Sequence, residues 1–119
     1  MKEVEEWLKR AEKDLDDAKF SLEGKRFELA SFLSQQAIEK ALKTLYLKKF
    51  NKIKKIHDLV ILGRSVNLPK KFIKECKEIT AAYTYTRYPE IPRVKNIESS
   101  ARRFVKQAEV IISWIKRQL

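Results

Sequence analysis

His57 is the only histidine among the 119 residues of the chain, and it ends a strongly basic stretch. This stretch reads "KKFNKIKKIH" over residues 48–57, contains no acidic residue, and holds five lysines: Lys48, Lys49, Lys52, Lys54 and Lys55. An imidazole titrates near physiological pH, and the surrounding positive charge attracts anions to it. Two roles for His57 follow. It either caps the next helix or bonds to backbone, or it meets a bound phosphate as a site residue.

A second stretch, "YTYTRYPEIP" over residues 83–92, crowds three tyrosines around Arg87. Arg87 continues the core-facing line of its helix one turn beyond Tyr83, and the proline after Tyr88 disfavours helical geometry there. A buried guanidinium needs either a carboxylate or a bound phosphate. Arg87 therefore either pairs with an acid such as Glu90 and pins the helix end, or it grips a phosphate while Tyr83 or Tyr88 stacks on a base.

A third candidate lies on a helix that is apolar nearly all round. Gln36, Lys40 and Lys43 share one narrow polar stripe of this helix. The two ammonium groups either snorkel out to water along their alkyl stems or line an anion-holding groove between helices.

Helices must position these side chains, because apolar residues recur at helical spacing almost throughout the chain. The central one is apolar on nearly every side, which is typical of a helix surrounded by neighbours. The periodicity, with its glycine and proline boundaries, predicts helices over residues 2–23, 26–50, 58–63, 69–87 and 96–118. We predict an all-α fold, an antiparallel up-and-down four-helix bundle with an additional short helix, as a single domain over residues 1–119.

Charge and composition narrow the function classes. Lys and Arg number 27 against 16 Asp and Glu, and the net charge of +11 favours polyanionic partners such as nucleic acid or nucleotides. The two glycines cannot form a phosphate-cradling loop, and no His or Cys set has metal-ligand spacing. We therefore expect no metal site and no cofactor.

The single cysteine and the lack of a long apolar run indicate the cellular compartment in which we expect the protein. Cys76 falls on the apolar side of its helix, which predicts a buried structural thiol rather than a nucleophile. No uninterrupted apolar run approaches the roughly 18 residues of a membrane span, and the acidic start "MKEVEEW" is not a signal peptide. We expect a cytoplasmic protein with no membrane partner.

Several large apolar residues lie off the core stripes. Four of them cannot all face a core built by the helices of one chain, and apolar patches of this kind usually mark an interface. They predict a homodimer that buries Phe32, Phe50, Val110 and Trp114.

Three motifs in this order resemble the HEPN domain, a family named for nucleotide binding in prokaryotes and higher eukaryotes. They are "FLSQQAIEKALKTLYLK" at 32–48, "HDL" at 57–59 and "YTYTRYPE" at 83–90. The similarity extends from "WLKRAEKDLDDAKFSLE" at 7–23 to the last helix. It implies an antiparallel four-helix bundle with a short extra helix, usually homodimeric and similar to the helical domain of aminoglycoside nucleotidyltransferases. Free-standing members are commonly encoded beside a minimal nucleotidyltransferase, in arrangements resembling toxin–antitoxin pairs.

The chain departs from this family at one motif. Many HEPN domains are metal-independent ribonucleases with an arginine separated from the histidine by four to six residues. Here Phe50, Asn51 and Lys52 occupy those positions before His57, so the nearest substitute is Lys52, which lacks the planar fork of a guanidinium.

The sequence leaves three functions open, of which we predict the first and keep the other two as alternatives. The first is a nucleotide- or RNA-binding domain that acts with a nucleotidyltransferase partner. The second is a divergent metal-independent RNA endonuclease toxin that uses His57 and Lys52. The third is a non-catalytic structural subunit of a dimer, in which the positive charge is incidental.

Overall fold

A computed structural model describes residues 1–87 and 96–119, without the side chains of 82–87. All regular structure in these residues is helical, in the order α1 (Lys2–Glu23), α2 (Phe27–Phe50), α3 (Leu59–Ser65), α4 (Lys70–Arg87) and α5 (Ile97–Gln118). The predicted all-α fold is confirmed: four long helices form the bundle and α3 is the additional short helix. Each helix boundary lies within two residues of the one predicted from sequence.

Helix α1 is amphipathic and buries a single stripe. Its apolar residues recur every three or four positions, and Val4, Ala11, Leu15 and Ala18 of this series are buried. The helix ends at Gly24, whose N–H donates to the carbonyl of Phe20 over 3.1 Å. The outward face carries charged residues, so α1 covers one side of the bundle and leaves its polar side in water.

Helix α2 is the central element, as the sequence predicts. It packs against each of the other four helices, and its contacts with α1 are the most extensive. Residues on every side of it are buried, including Ile38, Leu42 and Leu45. The burial of a polar residue on this helix is therefore informative, because most side chains in its middle lie away from solvent.

A close approach joins α3 to the start of α4. A Cβ atom on Gly63 would lie 2.7 Å from Cδ1 of Ile73 and 3.1 Å from Cδ2 of Leu68. Any larger residue at position 63 would therefore have to displace the side chains of Ile73 and Leu68. Leu59, Leu62 and Leu68 place the same segment in the main core, so α3 is firmly packed despite its length.

Cys76 on α4 is fully buried, as predicted. Burial raises the pKa of its thiol to about 12, and the carboxylate of Glu75 adds to the effect. Because the thiolate is the reactive form, Cys76 is a packing residue in the folded chain.

None of the helices in residues 1–87 and 96–119 is long and apolar enough to cross a membrane.

Candidate functional site

The basic stretch begins where α2 ends, at a residue whose backbone turns the chain. Asn51 adopts the left-handed conformation (φ 54°, ψ 34°), and its N–H donates to the carbonyl of Leu47 over 2.8 Å. Asparagine tolerates this conformation better than most residues. Asn51 thus stops the helix and directs residues 52–57 back along the bundle.

The far end of this stretch is fixed by the two residues that follow His57. Oδ1 of Asp58 accepts hydrogen bonds from the N–H groups of Val60 (2.9 Å) and Ile61 (3.1 Å), which makes Asp58 the N-cap of α3. Leu59 is fully buried in the core. Within "HDL", therefore, Asp58 caps helix α3 and Leu59 anchors it in the core. The interpretation of His57 as the helix cap is wrong, because Asp58 has that role.

His57 faces a buried carboxylate on α2. Its Nδ1 atom lies 2.7 Å from Oε2 of Glu39, whose side chain is only 9% exposed. The same oxygen accepts a hydrogen bond from Nζ of Lys43 over 3.0 Å. Oε1 of Glu39 accepts a longer one from Nε2 of Gln35, at 3.4 Å. We call Gln35, Glu39, Lys43 and His57 the Glu39 cluster.

The contacts of the cluster determine how the imidazole is held. Nδ1 of His57 also lies 3.5 Å from Nζ of Lys43, but an ammonium only donates, and the shorter contact is with the carboxylate. Nδ1 therefore donates to Glu39, and Nε2 is the nitrogen left for a ligand. The side chain of His57 is 81% exposed, so a buried carboxylate orients a ring that solvent and solutes reach.

The three polar residues predicted on one stripe of α2 separate in the structure. Lys43 belongs to the Glu39 cluster. Nζ of Lys40 instead lies 2.6 Å from Oδ2 of Asp14 on α1. Gln36 is half-buried one turn before Lys40. Lys40 and Lys43 are thus each paired with a carboxylate, and only Lys43 is brought to His57.

The lysines of the basic stretch differ in their exposure to solvent and in their contacts. Lys48, Lys49, Lys52 and Lys55 are exposed. Lys54 is half-buried, with its ammonium 5.5 Å from the centre of the Tyr46 ring, a distance at which the ring attracts a cation. The structure therefore leaves Lys52 and Lys55 as the exposed cations nearest to His57 in the chain.

A comparison of the sequence with models of protein families shows which family the chain belongs to. The family model of the HEPN domain matches residues 4–118 of the chain. The chain belongs to the HEPN family. No curated protein matched it in a sequence comparison.

Two solved structures resemble the whole HEPN chain. TT1696 from Thermus thermophilus is 26% identical over 100% of both chains, with a TM-score of 0.88. ST0689, described as an archaeal HEPN homologue, is 34% identical over 97% of this chain and 96% of its own, with a TM-score of 0.79. Both similarities extend beyond α3, so the segment that carries His57 lies within the shared fold.

The tyrosine–arginine stretch of this HEPN chain is described only in part. Arg87 is the last residue of α4, as the proline two positions later predicted. The side chains of Tyr83 and Arg87, and the whole of Tyr88, lie outside the described residues. Their predicted role in phosphate and base binding stays a prediction.

The four residues predicted at a dimer interface fall into two groups. Phe50 and Val110 are each 46% exposed, although Phe50 also packs on Tyr46 with ring centres 4.6 Å apart. Phe32 and Trp114 are half-buried. Trp114 packs on the core of its own chain beside Phe72, with ring centres 6.4 Å apart. Phe50 and Val110 are thus the members that expose most apolar surface.

Sequence reasoning missed Glu39 as a site residue. The residue exposure of Glu39 is only 7%. The missed signal is positional, because an acid four residues before Lys43 on a helix that is apolar nearly all round has no solvent face. In the residues that the structure describes, no three His, Cys, Asp or Glu side chains converge as a metal site.

Proposed function

We propose that this HEPN chain binds a nucleotide or RNA through His57 and the basic stretch, and acts with a minimal nucleotidyltransferase partner as one component of a toxin–antitoxin type of pair. One observation carries the proposal of binding. An exposed imidazole is held by a buried carboxylate, 2.7 Å away, at the end of a run of lysines.

A histidine held in this way is suited to phosphate. When protonated, the ring donates from both nitrogens, so Nδ1 stays on Glu39 while Nε2 donates to a phosphate oxygen. Lys52 and Lys55 are exposed and free to neutralise adjacent phosphates. The Glu39–Lys43 pair balances its own charge, so it orients the ring without cancelling the positive field of the lysines.

The first experiment measures the affinity of a labelled single-stranded RNA for the wild type and for His57→Ala. We expect binding to weaken about tenfold, the typical effect of losing a hydrogen bond to a charged group. The melting temperature should stay close to the wild-type value, because the ring is mostly exposed. Equal affinities of the two proteins would contradict the proposed site.

The second experiment tests whether the lysines meet phosphates. Each phosphate contact releases counterions, so the logarithm of the binding constant falls with the logarithm of salt concentration by about 0.7 per contact on a single strand. Lys52→Gln together with Lys55→Gln should therefore reduce the slope by about 1.4. The matched control is Lys13→Gln with Lys19→Gln, two lysines paired with Asp17 and Glu109, which should leave the slope unchanged.

The partner is proposed from the family's usual gene arrangement. The test is to co-express the chain with the protein encoded next to it and to purify through a tag on one of them. Recovery of a stable complex with a nucleotidyltransferase supports the proposal. A neighbouring gene that encodes no nucleotidyltransferase counts against this partner and leaves the proposal of RNA binding untouched.

A divergent RNA endonuclease is the second candidate, and the Glu39–His57 contact favours it. A carboxylate that fixes a histidine tautomer is also the arrangement of a general base. The missing arginine leaves Lys52, with four residues between it and His57, as the nearest substitute for the cation of that motif. Incubation of the pure protein with mixed RNA in EDTA separates the two candidates, because cleavage that His57→Ala abolishes supports a nuclease and intact RNA supports binding alone.

A further inference from the structure

A second cationic surface lies at the opposite end of α3 from the Glu39 cluster. His57 precedes the first residue of α3, whereas this surface is a cleft formed by the end of α3 and the first turns of α4. The cleft has a volume of about 450 Å³. It is lined by Arg64, Asn67, Leu68, Lys70, Ile73, Lys74 and Lys77, and by no member of the Glu39 cluster.

Every charged residue that lines this α3–α4 cleft is positive. Lys70, Lys74 and Lys77 follow one another at helical spacing on α4, and Arg64 faces them from α3. Like charges at this spacing destabilise a helix. Within residues 1–87 and 96–119, none of the four forms an ion pair with an acid. An anion in the cleft would relieve this repulsion.

A groove elsewhere on the bundle shows the usual arrangement. It lies between α1 and α5, has a volume of about 370 Å³, and mixes both signs of charge. There Lys19 pairs with Glu109, and Nζ of Lys116 lies 2.8 Å from Oε1 of Glu12. The two grooves therefore differ, because the cations of the α1–α5 groove are paired with acids and, among the described residues, those of the α3–α4 cleft are not.

The floor of the cleft is part of the packed core. Leu68 and Ile73 line it and belong to the main core, and both contact the position that Gly63 keeps small. The cations therefore stand on a packed base that holds them near one another. The volume of the cleft falls within the range of about 300–1,000 Å³ that is usual for small-molecule sites.

We propose that the α3–α4 cleft binds a chain of linked phosphates, the group shared by nucleoside triphosphates and inorganic polyphosphate. A terminal phosphate carries a charge of about −1.5 to −2 at neutral pH, and the linked phosphates add to it. Such a chain concentrates several charges within one cleft, whereas an RNA backbone carries one per nucleotide. Guanidinium and ammonium groups are the side chains that bind phosphate most strongly. This site goes beyond the proposed function, because it shares no residue with the Glu39 cluster.

A neighbouring pocket distinguishes the two sources of such a chain. Asn67 lines both the cleft and a pocket of about 190 Å³, whose walls include Lys49, Trp114 and Gln118. Because the two pockets share Asn67, we infer that the base of a nucleoside triphosphate enters this pocket and contacts the indole ring and the amide groups. Inorganic polyphosphate has no group that would do so.

The test is calorimetric titration of the full chain with inorganic tripolyphosphate. We expect wild type to bind, and Lys74→Gln with Lys77→Gln to bind about tenfold more weakly for each lysine removed. Arg64→Gln tests the opposite wall of the cleft independently. The control variant, Lys19→Gln with Lys116→Gln, removes as much charge from the mixed groove and should bind like wild type. Melting curves check that each variant is folded.

Two results would overturn the proposal: absence of tripolyphosphate binding by wild type, or equal weakening by the cleft and control variants. A parallel titration with ATP identifies the source, in a Trp7→Phe background where Trp114 is the only tryptophan. Tighter binding of ATP with a change in Trp114 fluorescence assigns a nucleotide, and equal binding without a change assigns inorganic polyphosphate. ATP binding that survives Lys74→Gln with Lys77→Gln counts against the cleft. RNA binding that depends on His57 is measured separately, so either proposal can fail alone.

Discussion

Nδ1 of His57 lies 2.7 Å from Oε2 of Glu39, eighteen positions earlier in the chain. The contact joins a loop residue that is mostly exposed to a carboxylate in the middle of the central helix. Glu39 also forms an ion pair with Lys43, four residues later. The buried carboxylate thus balances the buried ammonium and also orients the exposed ring of His57. The cluster thus connects the stability of α2 with the orientation of His57.

The first prediction concerns the Glu39–Lys43 pair, in which both side chains are 9% exposed. Glu39→Gln leaves the ammonium of Lys43 buried without an anion. Breaking a buried pair in this way costs about 3–5 kcal/mol, and we expect a loss of that order in the free energy of unfolding. Urea denaturation followed by circular dichroism measures it.

A second variant tests whether the loss of stability comes from the unpaired charge of Lys43. Adding Lys43→Met to Glu39→Gln removes the stranded charge, so the double variant should recover much of the lost stability. The exposed pair of Lys13 and Asp17 is the control, and Lys13→Gln should leave the unfolding midpoint unchanged. A double variant as unstable as the sum of the two single ones would show that the two charges are not coupled.

The helices and their boundaries were accessible from sequence because local signals determine them. The apolar spacing of α1 and α5, the glycine after α1 and the proline before α4 each act over a few residues. The buried position of Cys76 follows from the same spacing. His57 and Lys43 were both identified as candidates, but as members of separate groups.

The contacts that make the site were not accessible from sequence. The approach of residues 52–57 to α2 is tertiary, and no periodicity reports which helical residue a loop will meet. The contact between Glu39 and His57 was therefore missed. The same holds for the α3–α4 cleft, where Arg64 faces three lysines of another helix across a turn. The number of charges along the sequence does not distinguish these four cations from other surface lysines and arginines.

The second prediction concerns assembly. Phe50 and Val110 are large apolar residues that remain 46% exposed in the single chain, and a homodimer would bury them. We expect wild type to sediment as a dimer at micromolar concentration, and Phe50→Glu or Val110→Glu to sediment as a monomer. Phe20→Glu is the control, since Phe20 is 77% exposed but lies outside the predicted interface. A monomeric wild type would refute the prediction.

The third prediction uses the raised pKa of Cys76, about 12 in the folded chain against an ordinary value of 9.0. At pH 8 the buried thiol should resist a thiol reagent that modifies the urea-unfolded chain completely. Because the chain has a single cysteine, the signal belongs to Cys76 alone. Full modification of the native protein at the same rate would contradict its buried role.

The same shift gives a pH dependence with a definite sign. The folded pKa is higher than the unfolded one, so the unfolded chain releases this proton first as pH rises. The contribution of Cys76 to stability is present below pH 9.0 and declines between pH 9.0 and about 12. The difference in free energy of unfolding between wild type and Cys76→Ala, measured across that range, should therefore shrink with rising pH. A constant difference would mean that burial does not shift the thiol.

The last prediction concerns Arg87, the final residue of α4. The line that leads to it along the helix passes through Cys76 and Ile79, both fully buried, so the sequence directs the guanidinium towards the end of the core. A charge placed there needs either a carboxylate or a bound phosphate. We expect Arg87→Ala to weaken nucleotide binding while the melting temperature stays nearly unchanged. Tyr85→Ala is the control from the same helix, because position 85 lies on the opposite side from Tyr83 and Arg87. If melting instead falls sharply and binding only follows the folded fraction, Arg87 is a structural clasp of the helix end and is not part of the nucleotide site.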